Sequence, residues 1–383
     1  MKPDLRSFTA VELVSYLQEM GQPAYRGRQL FRQAQALAAP DFAAMSDLPR
    51  SLREQLAAQA RLSQPRICAR HLSVARDTAK LLLEFEDGER VEMALMLYAR
   101  EQSRDRATCC VSSQSGCAMG CAFCATGMFR QFRNLSAGEI VAQVQAGDAL
   151  ARELGFSGVT NVVYMGMGEP LANPQQVLRS IELLNDAQGM RIGARRITVS
   201  TCGLVPQIRK MADWGLQVGL AVSLHSADAE KRRRLMPGAA HWKLDELLAA
   251  MLYYQERTGR RVTCEYALIA GVNDSLSDAR KLVRFLTGSR ILVNIIPANA
   301  LPERGIHAPA AAQCAAFCRA VREAGIELAV RELRGADIEA ACGQLRKRCG
   351  TDRKAKAETG EKTAAADTPE KARQREENKA ECE

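Results

Sequence analysis

Residues 110–127 read CVSSQSGCAMGCAFCATG, a short stretch that is rich in small residues and carries four cysteines. Three of them, Cys117, Cys121 and Cys124, follow the spacing C-x3-C-x2-C. An all-cysteine zinc site normally uses two separated pairs, whereas three thiolates can bind three irons of a [4Fe–4S] cube and leave one iron open to a small molecule. The spacing favours such a cluster, with zinc and a redox C-x-x-C as alternatives. Cys110 has no partner in this motif.

The composition is that of an ordinary soluble globular protein, with 47% hydrophobic and 25% charged residues among 383. The sequence contains neither an apolar run long enough to cross a membrane nor a secretory signal, so we expect a cytoplasmic protein. Thirteen cysteines in a reducing compartment indicate metal binding, catalysis or core packing rather than disulfides. The formal charge is +9, and residues 351–383 hold eight Lys/Arg against nine Asp/Glu, so the chain before Thr351 carries about +10, which suits a polyanionic partner.

Beyond the cysteine motif, the chain alternates between two kinds of stretch. The strand-like stretches are NVVYMGM, RRITVST, QVGLAVSLH, RRVTCEYALI and ILVNIIPAN, and the helical ones include SAGEIVAQVQAGDALARELG, PQQVLRSIELLNDA, LVPQIRKMADW and AAQCAAFCRAVREAG. This order predicts an α/β protein whose parallel sheet has six or seven β-α units and forms an open or partial barrel. Active sites of such folds lie at the carboxyl ends of the strands, where Gly168, Glu169, Ser200, His225 and Asn299 fall.

The sequence divides into four parts, which we predict to be a helical RNA-binding accessory domain, a β-hairpin extension, a core domain and a disordered charged tail, at residues 1–64, 65–100, 101–350 and 351–383. In the first part, amphipathic stretches such as TAVELVSYLQEM behind a capping Thr indicate short helices. Arg26, Arg28 and Arg32 put positive charge on one of them. In the second part, AKLLLEFEDGERVEMALML predicts two strands around the turn EDGE.

Several further motifs accompany the cysteines: FRNLSAGEI, MGMGEPLAN, VSTCGLVP, AVSLHSAD, EYALIAGVND, IPAN and GADIEAACGQL. The whole set resembles the ribosomal and transfer RNA adenine C2 methyltransferases, a family of the radical S-adenosylmethionine (SAM) superfamily, from about Phe8 to Cys349. The resemblance implies a partial (β/α)6-type radical SAM barrel in which Cys117, Cys121 and Cys124 hold a [4Fe–4S] cluster. It implies SAM contacts by Gly168, Glu169, Ser200, Ser223, Leu224, His225 and Asn299.

The implied chemistry gives roles to cysteines outside the cluster. Carbon C2 of adenine lies between two ring nitrogens and is too electron-poor to attack a sulfonium methyl, so the methyl must be delivered as a radical. In the family pattern, Cys342 takes a methyl from one SAM by displacement. A second SAM, cleaved at the cluster, gives a 5′-deoxyadenosyl radical that removes hydrogen from this methyl, which then adds to C2. Cys110 releases the product by forming a disulfide with Cys342, and Glu92 takes the C2 proton.

The resemblance also implies the partners. They are adenine 2503 in the peptidyl-transferase centre of 23S rRNA, adenine 37 of tRNAs, and an electron donor such as flavodoxin; we expect a monomer. MFRQFRNL and AEKRRRLMPG offer further positive charge to RNA phosphates. Three alternatives remain: a paralogue that confers antibiotic resistance by methylating C8 of the same rRNA adenine, a radical enzyme with a non-RNA substrate, and a non-enzymatic iron–sulfur or zinc RNA-binding module.

Two expectations concern the remaining cysteines. Cys109 and Cys110 are adjacent, and adjacent strand residues face opposite sides, so at most one of them can face the site. Cys314 and Cys318 are four residues apart on one helical face and are expected in the core.

Overall fold

The computed structural model describes residues 2–99, 105–128, 131–332 and 334–345. The tail predicted to be disordered, 351–383, lies outside these ranges. Within them, ten strands form a single sheet whose spatial order follows the chain. No helix in the described ranges is long and apolar enough to cross a bilayer.

The N-terminal part contains three helices, α1 (Ala10–Glu19), α2 (Ala24–Gln35) and α3 (Arg50–Gln59). The predicted cap of α1 is confirmed: the Thr9 side chain accepts from the backbone N–H of Glu12, and the Glu12 carboxylate accepts from the backbone N–H of Thr9 at 2.7 Å. Apolar residues at helical spacing meet in one buried cluster: Leu13, Leu17, Leu30, Phe31, Leu52 and Leu56.

A buried arginine docks these helices onto the rest of the molecule. The Arg6 side chain is fully buried and donates to the carbonyl oxygens of Ala34 and Ala39, both at 2.8 Å. The Gln145 side chain, from the first helix after the cysteine loop, also donates to Ala34 at 2.8 Å. Burial lowers the pKa of Arg6 to about 10, so its guanidinium stays charged at neutral pH. These carbonyl oxygens replace the water that the buried charge has lost.

Three antiparallel strands follow, β1 (Arg66–Leu72), β2 (Thr78–Glu84) and β3 (Arg90–Tyr98). The predicted hairpin is confirmed, since β2 and β3 pair around the EDGE turn. β1 was not predicted, because RICARHL stays largely accessible and lacks an apolar alternation. On its other edge β3 pairs with β4 (Arg106–Cys110). The extension and the core therefore share one sheet, while the domain boundaries stay predictions.

The parallel part of the sheet starts at β4 and continues to the last strand. Its further elements are α4 (Ala137–Glu153), β5 (Asn161–Tyr164), α5 (Pro174–Asn185), β6 (Ile197–Thr201), α6 (Val205–Ala212), β7 (Gly219–Ser223), α7 (Ala229–Leu235), α8 (Leu244–Thr258), β8 (Val262–Leu268), α9 (Leu276–Leu286), β9 (Leu292–Pro297), α10 (Ala311–Glu323) and β10 (Leu328–Val330).

Every strand and helix predicted in this part is present. The predicted strands are a few residues shorter at their ends, and α4 begins at the expected cap, Ser136, which forms a capping box with Glu139. The sequence missed β4 and β10: RATCC has a single β-branched residue and no large apolar side chain, and β10 has only three residues. The α/β partial barrel of parallel strands is confirmed.

The two adjacent cysteines of β4 point in opposite directions, as expected. Cys109 is fully buried in the main core, toward Gly147 of α4. Cys110 lies on the inner face of the sheet in a small cluster with Ala94 and Met96 of β3. Both cysteines of α10 predicted to be packing residues are buried.

We predict that Arg6→Ala lowers the free energy of unfolding by about 2–4 kcal/mol, because the carbonyl groups of Ala34 and Ala39 lose a charged donor in a buried site. Urea denaturation measures this loss. Arg50→Ala is the control: Arg50 pairs with Glu54 on the surface, with side-chain exposures of 86% and 64%, and should cost at most about 0.5 kcal/mol. Equal losses in the two variants would contradict the docking role of Arg6.

Candidate active site

A cavity opens at the carboxyl ends of the parallel strands. Its lining includes the cysteines of the loop and most of the predicted SAM-binding residues: Cys117, Cys121, Cys124, Gly168, Glu169, Ser200, Ser223, His225 and Asn299. Cys342 lines the same cavity. Leu224 does not, because its side chain is fully buried in the core. Residues from six separate motifs thus meet in one place, as the parallel topology predicts.

The cysteine loop is held from two sides by backbone hydrogen bonds. Gly238 donates to the carbonyl of Met119 at 3.0 Å, and Ala125 donates to the carbonyl of Gly343 at 2.7 Å. A Cβ on Gly238 would stand 2.7 Å from the Met119 Cα, so this approach requires glycine. Contacts within the chain therefore fix the path of the loop.

The loop cysteines are half-buried, and their thiols affect one another. Burial raises the pKa of Cys117 to about 12, and the neighbouring Cys124 contributes to the rise. Burial also raises the pKa of Cys121, with Cys124 and Cys117 adding to it. Thiolates in such a place need a positive charge beside them, which bound iron supplies. The donor set therefore fits an iron–sulfur cluster.

A single metal ion fits the site less well. Among the residues that the structure describes, no three His, Cys, Asp or Glu side chains are gathered closely enough to surround one ion. A zinc site would need its ligands converged on one point, whereas cluster ligands bind separate irons. The arrangement favours the cluster over zinc.

The glycines of MGMGEP let the chain after β5 lie directly against the residues that precede the cysteine loop. A Cβ on Gly166 would stand 2.6 Å from the carbonyl oxygen of Val111, and a Cβ on Gly168 would stand 2.6 Å from Cβ of Gln114. Gly168 also has φ +99°, which disfavours any residue with a side chain. This close packing places Glu169 at the cavity wall.

Glu169 is a buried carboxylate. Its oxygens accept from the backbone N–H groups of Leu171 at 3.0 Å and Cys202 at 2.8 Å. Burial raises its pKa above the ordinary value for glutamate. A cationic group in the cavity would favour the ionised carboxylate, so Glu169 fits the ammonium of the amino-acid part of SAM.

His225 is held as a neutral imidazole. Its Nδ1 accepts from the backbone N–H of Ala267 at 2.8 Å, so the ring proton lies on Nε2. Burial, with a smaller effect from Arg232, lowers its pKa to about 3. The ring meets Phe123 of the cysteine loop edge to face, with centroids 4.5 Å apart. His225 therefore supports the loop and offers a neutral donor rather than a charge.

Cys342 lies between two cavities. The second cavity adjoins the first. Its lining includes Cys110 of β4 and Ala94 and Met96 of β3. Five residues line both cavities: Met165, Ile296, Asn299, Arg331 and Cys342. The structure thus brings Cys342 to the cluster loop on one side and to Cys110 on the other.

The chain around Cys342 is fixed by three contacts. The Asn299 side chain donates to the backbone carbonyl of Cys342 at 2.8 Å. The Thr126 hydroxyl donates to the carbonyl of Leu345 at 2.8 Å. Gly343 has φ +81°, and a Cβ there would stand 2.8 Å from the carbonyl oxygen of Phe123. Asn299 therefore has a structural bond that the sequence did not predict, besides its place in the SAM cavity.

Sequence reasoning missed two charged residues of the site. Arg331 follows β10. The nearby Cys342 raises its pKa, and Glu265 and Cys110 add to this rise, whereas partial burial opposes it. Glu265 on β8 lines the first cavity, accepts from Asn294 at 2.8 Å, and has a pKa raised by burial. A charged residue inside the apolar strand VTCEYAL could have identified Glu265 as a candidate site residue. No sequence feature identified Arg331, because β10, which precedes it, was not predicted.

Glu92 lies on the inner face of β3 but does not line either cavity. It is 3% exposed, and its carboxylate is 3.2 Å from the ammonium of Lys80 on β2. Ala94, two residues along the same face, lines the second cavity and pairs in register with Cys110. The role of Glu92 as proton acceptor stays a prediction. The residue lies two positions along β3 from Ala94, which lines the second cavity.

The basic stretches differ in how much charge they expose. Arg133 is bound to Glu139 at 2.7 Å, and Lys231 to Asp278 at 2.7 Å. Arg232 is buried and donates to backbone carbonyls. On the surface lie Arg28, Arg32, Arg233 and Arg234. Among the described residues of the predicted basic stretches, these four arginines are exposed, although Arg234 also pairs with Glu230 on the same helix. Arg130 of the predicted stretch MFRQFRNL lies outside the described residues.

Two family models match the chain: the ribosomal RNA large subunit methyltransferase N-terminal domain at residues 3–62 and the radical SAM superfamily at residues 111–286. The probable dual-specificity RNA methyltransferase RlmN of Moorella thermoacetica is 47% identical over 344 residues, which cover 90% of this chain and 97% of that protein. The chain belongs to the RlmN family.

A second RlmN relative, from Heliobacterium modesticaldum, is 45% identical and covers 90% of this chain and 89% of its own. The crystal structure of a radical SAM methyltransferase from Sphaerobacter thermophilus is similar over 90% of this chain and 100% of that one, with a TM-score of 0.86 and 44% identity. The predicted family and the radical SAM fold are confirmed. Membership of the radical SAM superfamily implies a [4Fe–4S] cluster and SAM.

We predict that His225 makes the protein sensitive to mild acid. Its pKa is about 3 in the folded chain against 6.5 in the unfolded one, so between these values only the unfolded chain binds the proton. Stability from this group is complete above pH 6.5 and falls as the pH drops toward 3. Between about pH 7 and pH 5, wild type should lose about 2 kcal/mol more than His225→Asn.

Urea denaturation of the cofactor-free proteins at both pH values measures this difference. Asparagine suits the test because it tolerates the positive φ of +53° at this position. Equal losses in wild type and His225→Asn would contradict a buried neutral histidine.

Proposed function

We propose that this protein methylates C2 of an adenine in 23S rRNA, and of an adenine in tRNAs, through a methyl group carried on Cys342. The observation that carries the proposal is the position of Cys342, which lines both the cavity of the three loop cysteines and the cavity of Cys110. A thiol at this junction can take a methyl on one side and meet a resolving thiol on the other. The names of its RlmN relatives, which describe dual-specificity RNA methyltransferases, support RNA as the substrate.

In this proposal Cys117, Cys121 and Cys124 bind the cluster, and Glu169, Ser200, Ser223, His225 and Asn299 orient SAM. The bound cluster and SAM supply a methyl group, one electron and a carbon-centred radical that removes a hydrogen atom. The chain holds the methyl-bearing sulfur of Cys342 within the same cavity. It also limits the access of water, since the lining is largely apolar.

The two thiols share a charged neighbour. The guanidinium of Arg331 lies near Cys342 and near Cys110. Burial, with Cys342 adding to it, raises the pKa of Cys110 to about 12. Cys110 thus stays a protonated thiol until it is needed to form the disulfide with Cys342. A thiol reductant must reopen that disulfide before the next turnover.

RNA would approach through the exposed arginines of the N-terminal helices and of α7. The N-terminal helices are fixed to the barrel through Arg6, so their charges keep a set distance from the cavity. The target adenine has to leave its stack to reach Cys342. C8 methylation of the same adenine is the second candidate, because the chemistry would use the same thiols and cofactors.

The first test uses Cys342→Ala and Cys110→Ala after anaerobic reconstitution with SAM, reductant and RNA. We predict that Cys342→Ala accepts no methyl, because the receiving sulfur is gone. Cys110→Ala should accept the methyl and then accumulate protein covalently bound to RNA, seen as a shifted band on a denaturing gel. Cys68→Ala, on a half-exposed strand away from the cavity, is the control with normal turnover. Normal turnover by Cys110→Ala would reject its resolving role.

The position of the methyl is tested on the product. Nucleoside mass analysis of RNA methylated by the wild-type protein should give 2-methyladenosine, for both 23S rRNA and tRNA. Recovery of 8-methyladenosine would assign the C8 activity instead. Absence of any methylated RNA, with 5′-deoxyadenosine still formed, would favour a non-RNA substrate.

A further inference from the structure

A buried lysine connects the predicted base to the segment that carries Cys342. The Lys80 side chain is buried, with 4% of its surface exposed. Its ammonium lies 3.2 Å from a carboxylate oxygen of Glu92 and donates to the backbone carbonyl of Glu339 at 3.2 Å. Glu339 precedes Cys342 by three residues. One ammonium thus binds both groups.

The sheet register places Lys80 on the inner face of the sheet, the face on which Cys110 lies. Lys80 is paired with Ala94, and Ala94 is paired with Cys110, so the three residues form a row across β2, β3 and β4. Residues paired directly across strands point to the same side of a sheet. Glu92, two residues from Ala94, shares that side. Lys80, Glu92 and Cys110 therefore all point to the inner face.

A buried carboxylate is costly unless a cation lies beside it. Lys80 supplies that cation for Glu92. The backbone around Glu92 is occupied as well: the Ser112 hydroxyl donates to its carbonyl at 2.6 Å. The buried carboxylate of Glu92 therefore lies against a cation on an adjacent strand, and its backbone carbonyl is held by Ser112, which comes shortly after β4.

We propose that Lys80 is a positioning residue that holds Glu92 ionised and oriented for removal of the C2 proton. The inference rests on the proposed function, in which Glu92 is the proton acceptor. In this step the C2–H bond of the covalent adduct breaks, its electron pair stays on the adenine ring, and the proton bonds to a Glu92 oxygen; the unpaired electron that radical addition leaves on the ring would return to the oxidised cluster. Lys80 keeps its own protons, and no electron leaves either side chain. The link to Glu339 keeps the base in a fixed relation to Cys342.

Other titratable groups also face this region and belong to the pH argument. Cys110 comes from β4, and Arg331 and Cys342 come from the chain after β10; they line the neighbouring cavity. Met167, from the loop after β5, contacts the Glu92 backbone N–H through its sulfur and carries no charge. Lys80 forms an ion pair with the carboxylate of Glu92. A substitution of Lys80 should therefore change the protonation of Glu92 more than that of the two thiols.

The test separates proton removal from the earlier steps. Lys80→Gln keeps an N–H donor of similar length for Glu339 but removes the charge. Methylation of Cys342, followed by mass spectrometry, and formation of 5′-deoxyadenosine should stay at the wild-type rate, since both precede proton removal. Methylated RNA should fall by about tenfold or more at neutral pH, while the covalent protein–RNA species accumulates. Product formation should recover toward higher pH, with its midpoint moved up by about one unit or more.

Two variants serve as references. Lys80→Arg keeps the positive charge and should restore the wild-type pH profile. Lys281→Gln removes a lysine from another lysine–carboxylate pair, with Asp228 at 2.5 Å, and should change none of the readouts. A parallel loss of Cys342 methylation, 5′-deoxyadenosine and product in Lys80→Gln would reduce Lys80 to a structural role and overturn the proposal. Unchanged product formation would overturn it as well.

Failure of the proposed function gives a different result. If Glu92→Gln turns over normally, Glu92 is not the base, whatever Lys80→Gln does. Should Lys80→Gln fail to fold, the same rates are compared in Glu92→Asp, in which the charges remain but the carboxylate is moved. There too, a selective loss of product supports the positioning of the base, and a parallel loss of all steps overturns it.

Discussion

One backbone contact determines where Cys342 lies. The carbonyl of Gly343 accepts from Ala125 at 2.7 Å and fixes the end of the chain against the cysteine loop. The contact requires a residue without a side chain, because a Cβ at Gly343 would collide with the backbone of Phe123. Cys342 is next in the chain, so its place between the two cavities follows from this docking. The motif GADIEAACGQL therefore supplies both a thiol and the glycine that positions it.

Buried carboxylates are the second constraint on the structure. Three of them in or near the site have a hydrogen-bond or ion-pair partner beside them. Glu169 is bound by backbone N–H groups, Glu265 by Asn294, and Glu92 by Lys80. Such arrangements are costly when incomplete, since an unpaired buried charge destabilises a fold by several kcal/mol. Burial raises the pKa of Cys110, and one guanidinium, that of Arg331, lies near both Cys110 and Cys342.

The sequence predicted the parts of this fold that have a long apolar period or a distinctive motif. The long helix after Ser136 and the five inner strands were predicted because their burial is strong and regular. β1, β4 and β10 were missed, because a short or half-exposed strand is stabilised by its neighbours in the sheet and not by its own sequence. The family resemblance named the thiols and Glu92. Lys80 and Arg331 carry no motif, and their meaning depends on contacts with residues far away in the chain.

The antiparallel extension is joined to the end of the chain by contacts that its sequence does not reveal. Here β3 pairs with β4, and the chain after β10 crosses back to the extension: Arg334 binds Asp77 at 3.0 Å, and Glu339 binds Lys80. The end of the chain is therefore tied to the extension, whose strands carry Lys80 and Glu92. In the proposed function, the contacts that hold the segment of Cys342 against the sheet are also those that place the base, so a change in one should affect the other.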